Sequence, residues 1–364
     1  MTKAISKGLT VKITKAITTR RELVKAGELG LVQVLAADPK LPTPIQRRLI
    51  DGAGSVNDGP NSVLYQHTVL CQICIPARDP GDEVRTWERL NGSVHMEVNA
   101  GKAMDPKTQR LVPVGLPFGP KSRMILMHIN QQALVQKTPE IDIEDTLTRF
   151  VQRTLKLAPH GRNMRIVKDQ LSRLSAASIR IGFMNGNDEA VTVNSQIISA
   201  FNVWLHKDDN QRVLWPSTIR LSLDYFESLK AHAVPLNEDH IARLSHSAMA
   251  LDIYSWLAQR LHRIPINKPV KISWAALHGQ FGQGYNPARL DKFRQVFRVA
   301  LKQVLTLYKA ARITEDTPQS ARRFIEETYV SSFEKTIRKT GWRQPSLEGV
   351  ILHNSPPPVP PRLL

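Results

Sequence analysis

Cys71 and Cys74 are the two cysteines of the chain, and their Cys71-Gln72-Ile73-Cys74 spacing suits either half of a tetrahedral zinc site or a dithiol redox pair. Zinc needs two further ligands. His67 is close in sequence, but neither a second CxxC nor an HxxxH follows to complete the tetrahedron. A redox pair belongs at a helix start, where the thiolate is stabilised, whereas residues 62–75 are rich in Val, Leu, Ile, Thr and Cys and read as a strand. Small thiols packed in a core are the expectation, and a disulfide framework is absent.

Gly115, Gly119, Lys121 and Ser122 approximate a phosphate-binding loop. That loop needs Gly directly before Lys so that consecutive amides curl around phosphate, and here Pro120 removes an amide. A turn followed by a helix start explains the residues more simply. Glu140, Asp142, Glu144 and Asp145 are enough carboxylates for Mg²⁺, yet acids at a helix start serve capping and the helix dipole equally well. Nicking enzymes of the rolling-circle type use two histidines one residue apart, and none of the eleven histidines has another at i+2. Nucleophile-elbow and kinase motifs are also missing. The sequence therefore names no catalytic residue, no metal ligand and no cofactor. The expectation is a binding protein, with a metal-dependent nuclease or primase as the enzymatic alternative.

Charge supplies the positive signal. Fifty Lys and Arg against 32 acids leave a net charge of +18, which favours a polyanionic partner because each neutralised phosphate releases condensed counterions. Double-stranded DNA is the first candidate. No stretch approaches the roughly 20 apolar residues of a spanning helix, so a membrane is not expected and a cytoplasmic location is. Lys3, Lys7, Lys12, Lys15, Arg20 and Arg21 precede the first acid, Glu22. Their composition resembles an organelle presequence, but a basic arm lying along DNA agrees better with the rest of the chain.

Two basic helices must be positioned by the elements around them. A buried helix is expected over 121–135 after the Gly115–Pro120 block, a second from Ile143 or Glu144 to Leu155, and a third over 161–174. The third carries Met164, Val167, Leu171 and Leu174 on one face and Arg162, Arg165, Lys168 and Ser172 on the other. Segments 178–184 and 190–198 flank an Asn185-Gly186 turn and read as a hairpin. Helix, helix, basic helix and hairpin is the order of a winged helix-turn-helix. The second half repeats it with helices near 224–230, 238–244 and 248–263, a strand at 270–273, a short helix from Trp274 and a long helix over 289–308. Leu290, Phe293, Val296, Phe297, Leu301 and Val304 form the apolar stripe of that helix, beside Arg294, Arg298 and Lys302. A strand near 350–353 follows a charged insertion.

The expected fold is α+β: a basic N-terminal appendage over 1–60, winged-helix domains over 61–205 and 206–355 with an insertion at about 314–346, and a proline-rich tail over 356–364. Candidate DNA contacts are Arg162, Asn163, Arg165, Lys168 and Arg173 in the first unit, and Arg289, Lys292, Arg294, Arg298 and Lys302 in the second. Arg and Lys suit phosphates, and Arg and Asn can also pair with base edges.

The stretches VLCQICIPARDPGDE at 69–83, VGLPFGPKSRMILMHI at 114–129, MALDIYSWLAQRLHRI at 249–264, ISWAALHGQFG at 272–282, FRQVFRVALKQVL at 293–305 and ILHNSPPPVP at 351–360 resemble the plasmid-encoded RepA family of replication initiators. The resemblance implies a protein that binds short repeats at its own plasmid origin, helps open the duplex and recruits the host initiator and helicase proteins. It also implies tandem winged-helix domains, and a homodimer that interconverts with the monomer. The same fold acting only as a transcriptional repressor is the alternative.

Overall fold

The computed structural model describes residues 45, 49, 62–92, 94–105, 108–142, 146–185, 189–201, 218–316 and 349–360. The expected appendage apart from residues 45 and 49, the Gly186–Asp188 turn, Glu144 and Asp145, most of the insertion and residues 361–364 lie outside these.

Two long helices are buried over most of their length, and such helices belong at the centre of a fold. One is α2 (Gly119–Gln136), in which Ser122 to Asn130 are continuously buried. The other is α7 (Ala248–Arg260), buried from Ala250 through Gln259 and capped by Ser247, whose hydroxyl accepts from the Ala250 N–H at 3.2 Å. They pack together inside one apolar cluster that runs from Leu49 to Leu352.

Before α2 the chain forms β1 (Val63–His67), α1 (Thr68–Gln72), β2 (Thr86–Asn91), β3 (Val94–Asn99), β4 (Lys102–Asp105) and β5 (Arg110–Pro113). The expected strand over 62–75 is corrected here: only Val63–His67 forms a strand, and a helical turn follows. The His67 ring starts that turn by accepting the Val69 N–H at 3.2 Å, and Leu70 and Cys71 are buried by it. Tertiary burial has overridden β propensity. Strand β1 pairs with β11 (Ala233–Asn237), so one ladder joins residues from both halves of the chain.

After α2 come β6 (Glu140–Asp142), the short α3 (Leu147–Arg149) continued by a π turn over Phe150–Thr154, α4 (Gly161–Ala176), β7 (Ser178–Asn185), β8 (Glu189–Gln196) and β9 (Ile198–Phe201). The expected helix from 143 or 144 to 155 is thus shorter and partly π-helical. Strands β7 and β8 pair antiparallel as the Asn-Gly signal implied, and they extend a sheet ordered β2-β3-β7-β8. Strand β10 (Thr218–Leu221) lies between β6 and β9 in a second sheet.

The later elements are α5 (Leu223–His232), α6 (Glu238–Leu244), β12 (Val270–Ser273), α8 (Trp274–Phe281), α9 (Leu290–Leu307), β13 (Ile313–Asp316) and β14 (Gly349–Leu352). The third sheet is ordered β12-β14-β13, so the last strand sits in the middle. One element order therefore occurs twice: buried helix, short strand, short helix, basic helix, two strands. It runs α2, β6, α3, α4, β7 and β8, and again α7, β12, α8, α9, β13 and β14.

Candidate nucleic-acid interface

Helix α4 is seated by its apolar side and capped at its start. The His160 ring accepts the Asn163 N–H at 3.3 Å, while Val167, Leu171 and Leu174 are buried. Arg162 and Arg165, one turn apart, are exposed at the N-terminal end; Lys168 and Asn163 are half-buried, and the Asn163 amide donates to the Ala158 carbonyl at 2.9 Å. Ser172, expected on the polar face, is buried instead, as is Gln170, whose side-chain oxygen accepts from the Phe118 N–H at 2.8 Å and from the Ser122 hydroxyl.

Arg173 does not join this exposed group. Its side chain is 11% exposed and is surrounded by Asp169 at 3.0 Å, Asp82 at 3.3 Å and Asp79 at 3.8 Å. The guanidinium also donates to the Leu116 carbonyl and lies over the Phe118 ring. Gly115 lies close beside it: a Cβ there would stand 2.0 Å from an Arg173 nitrogen, which would have to shift. Arg173 holds the loop before α2 onto α4, and we remove it from the candidate DNA contacts for that reason.

The second basic helix, α9, is held by rings. Phe293 and Phe297 are fully buried; Trp274 on α8 meets Phe297 at 5.7 Å between centroids, and Phe281 meets Phe297 at 5.6 Å. The turn leading into α9 is tied back to α8 where the His278 ring contacts the Tyr285 carbonyl at 2.9 Å. Burying this side of α9 leaves Lys292, Gln295, Arg298, Val299 and Lys302 exposed, with Arg294 half-buried. Arg294 and Arg298 both stack over Trp274, at 5.7 and 5.2 Å, so part of their role is packing. Arg298 also binds Glu315 on β13 through its Nε at 2.5 Å. Arg289 lies beside Asp291 at 3.5 Å, and Lys292 donates to Gln295 at 3.4 Å.

The loop 76–82 reaches both basic helices' surroundings. Its Asp79 and Asp82 hold Arg173 on α4, and its Arg78 donates to the Tyr285 hydroxyl at 3.4 Å, just before α9. The partners of this loop, some 90 and 207 positions away, are not legible in sequence. Glu315 was missed for the same reason, whereas Asp291 could have been noticed inside the basic helix.

The other chemical candidates have ordinary structural explanations. The Gly119 N–H donates to the Pro76 carbonyl at 2.9 Å, the Phe118 N–H serves Gln170, and the Lys121 ammonium donates to the Ser245 carbonyl, so the near-miss phosphate loop has its donors engaged. Both cysteines are buried and free, and burial pushes both thiols far above the usual range. Among the described residues no cluster of three His, Cys, Asp or Glu is placed to hold a metal ion. None of the described helices is long and apolar enough to cross a membrane. What the exposed face offers is a set of guanidinium, ammonium and amide donors.

Residues 116–276 match the family model of the plasmid encoded RepA protein. The RepA match covers α2 through the start of α8, including the first basic helix, and ends before α9. Over those residues the resemblance seen in the motifs is borne out. No curated protein matches the chain. Among solved structures, the chain is similar to a selenomethionine crystal structure of domains 2 and 3 of RctB, with 11% identity and a TM-score of 0.41, covering 64% of this chain and 83% of that one. A second crystal structure of RctB domains 2-3 matches with 9% identity and a TM-score of 0.40, over 67% and 83%.

Proposed function

We propose that this protein is a plasmid replication initiator that binds double-stranded DNA through two winged-helix units, one within 61–205 and one within 206–355. The observation that carries the reading is the repeated element order, each time with exposed cations on the helix just before the last two strands. In a winged helix-turn-helix that helix enters the major groove, and the paired strands form the wing beside it. Arg162, Asn163, Arg165 and Lys168 contact DNA from α4; Lys292, Arg294 and Lys302, with Arg289 before the first turn, do so from α9, where Arg298 is bound to Glu315. Net charge of +18 favours the encounter. The RepA match supports the plasmid setting, and in this reading the target is repeated sequences at the origin.

In this reading the chain acts by binding, without a covalent step, in the cytoplasm. It opens the origin and recruits the host initiator and helicase proteins, and a homodimer serves repression.

The test is equilibrium binding of the purified chain to duplexes from the DNA flanking its gene, against scrambled duplexes of equal length at moderate salt. A preference of about a thousandfold or more supports the reading, since specific sites exceed non-specific ones by about that margin. Equal binding sinks it. A plasmid that still replicates with the gene deleted would instead identify a repressor.

A further inference from the structure

Glu315 is an acid placed on the cationic side of α9. It lies on β13 and accepts two guanidinium nitrogens of Arg298, Nε at 2.5 Å and Nη2, on a single carboxylate oxygen. Strand β13 is the first of the two strands after the basic helix, and its Glu315 pairs in register with Val350 of β14. The bridge therefore fastens the middle of the basic helix to the strand pair, one residue from the Asp316–Gly349 end. Arg298 also lies over the Trp274 ring, 5.2 Å from its centroid. A second acid, Asp291, stands beside Arg289 at the start of the same helix.

An acid within a few ångströms of the groove-facing cations has an electrostatic consequence. Phosphate that approaches Arg298 must either displace the Glu315 carboxylate or meet its charge, and like charges in contact are repulsive. Non-specific binding comes almost wholly from phosphate contacts, so an acid here penalises it in full. Specific binding loses less where contacts to base edges fix the register, so that no phosphate need approach Arg298.

We propose that Glu315 is a specificity-determining residue: it withholds Arg298 from phosphate and so lowers affinity for random duplex more than for the recognised repeat. This rests on the DNA-binding role proposed above.

The experiment measures binding to repeat and scrambled duplexes over a salt series for the full-length wild type, Glu315→Gln, Arg298→Gln and the double variant. Glu315→Gln is expected to bind scrambled duplex on the order of three- to tenfold more tightly. Its log–log salt dependence should steepen by about 0.9, the value of one added phosphate contact. In the Arg298→Gln background the Glu315 substitution should leave the slope unchanged, which isolates the coupling. Arg298→Gln alone should also keep the wild-type slope; a fall of about 0.9 would mean Arg298 already sits on phosphate and overturns the proposal. That arm stands even if Glu315→Gln fails to fold. Wild-type affinity and slope in a folded Glu315→Gln protein overturn it equally. If the wild type binds neither duplex, the DNA-binding reading itself fails.

Discussion

The guanidinium of Arg123 on α2 and the carboxylate of Asp252 on α7 meet fork to fork, Nε to Oδ1 at 2.6 Å and Nη2 to Oδ2 at 2.7 Å. Their side chains are 2% and 9% exposed. The remaining Arg123 donors go to the carbonyls of Ile75, Pro76 and Gly119. Burial opposes the charge on Arg123, and Asp252 more than offsets it, leaving the Arg123 pKa above its usual value. The pair ties the central helices of both halves to the loop that reaches α4 and α9.

Removing one partner should be far worse than removing both. Asp252→Ala leaves a buried guanidinium without its counterion, a loss of about 3–5 kcal/mol. Arg123→Met combined with Asp252→Leu removes both charges and should recover most of that. Denaturant midpoints of the three proteins check this. Equal destabilisation by the single and double variants would mean that packing, and not charge, is what the site supplies.

Arg165 and Arg173 lie eight residues apart on α4 and should behave oppositely. Arg165 is exposed, so Arg165→Ala should weaken DNA binding, reduce the salt slope by about 0.9 and leave stability within about 0.5 kcal/mol. Arg173→Ala removes the partner of three carboxylates and should lower the thermal midpoint while the folded protein keeps its slope. Salt titrations beside thermal melts separate the two. A slope change in Arg173→Ala would return that residue to the interface.

Gly115→Ala tests the same support from the other side. The new Cβ would stand 2.0 Å from an Arg173 nitrogen and 2.7 Å from an Asp82 oxygen, and the network must shift to admit it. A destabilisation of about 1–3 kcal/mol is expected, as for other overpacked sites. A denaturant midpoint equal to wild type would show that Arg173 moves freely.

The helix α9 could be read from sequence because its period is local: Phe293, Phe297 and Val304 recur at helical spacing and are buried, and the cations beside them are left outside. The same holds for α4 and for the Asn-Gly hairpin. What could not be read are roles fixed by partners far away in the chain. Arg173 and Arg165 look alike in sequence, and only Asp79, Asp82 and Gly115 tell them apart. Val69–Cys71 have the composition of a strand and are helical because His67 caps them and the core buries them. Strand β6, three residues long, carries too short a pattern to signal itself and exists because β10 pairs with it.

Three buried histidines should make the fold sensitive to mild acid. Burial lowers the pKa of His67 and of His240 to about 4 and that of His128 to about 3; at His67 the neighbouring His232 adds to the effect. The His67 ring shows why a second proton is resisted. Its Nδ1 accepts the Val69 N–H at 3.2 Å, so the neutral ring carries its proton on Nε2, facing the Ser228 hydroxyl at 3.0 Å. A proton on Nδ1 would turn that cap into a clash of two donors. The unfolded chain takes up these protons near pH 6.5 and the folded one does not. Stability from this source is therefore complete above about pH 6.5 and declines as pH falls towards 4, with His67 alone responsible for on the order of 3 kcal/mol. Urea midpoints between pH 7.5 and 4.5 should fall steadily. His67→Asn keeps a capping acceptor without a titrating ring and should flatten the decline; a profile as steep as wild type would show that His67 is not among the groups responsible.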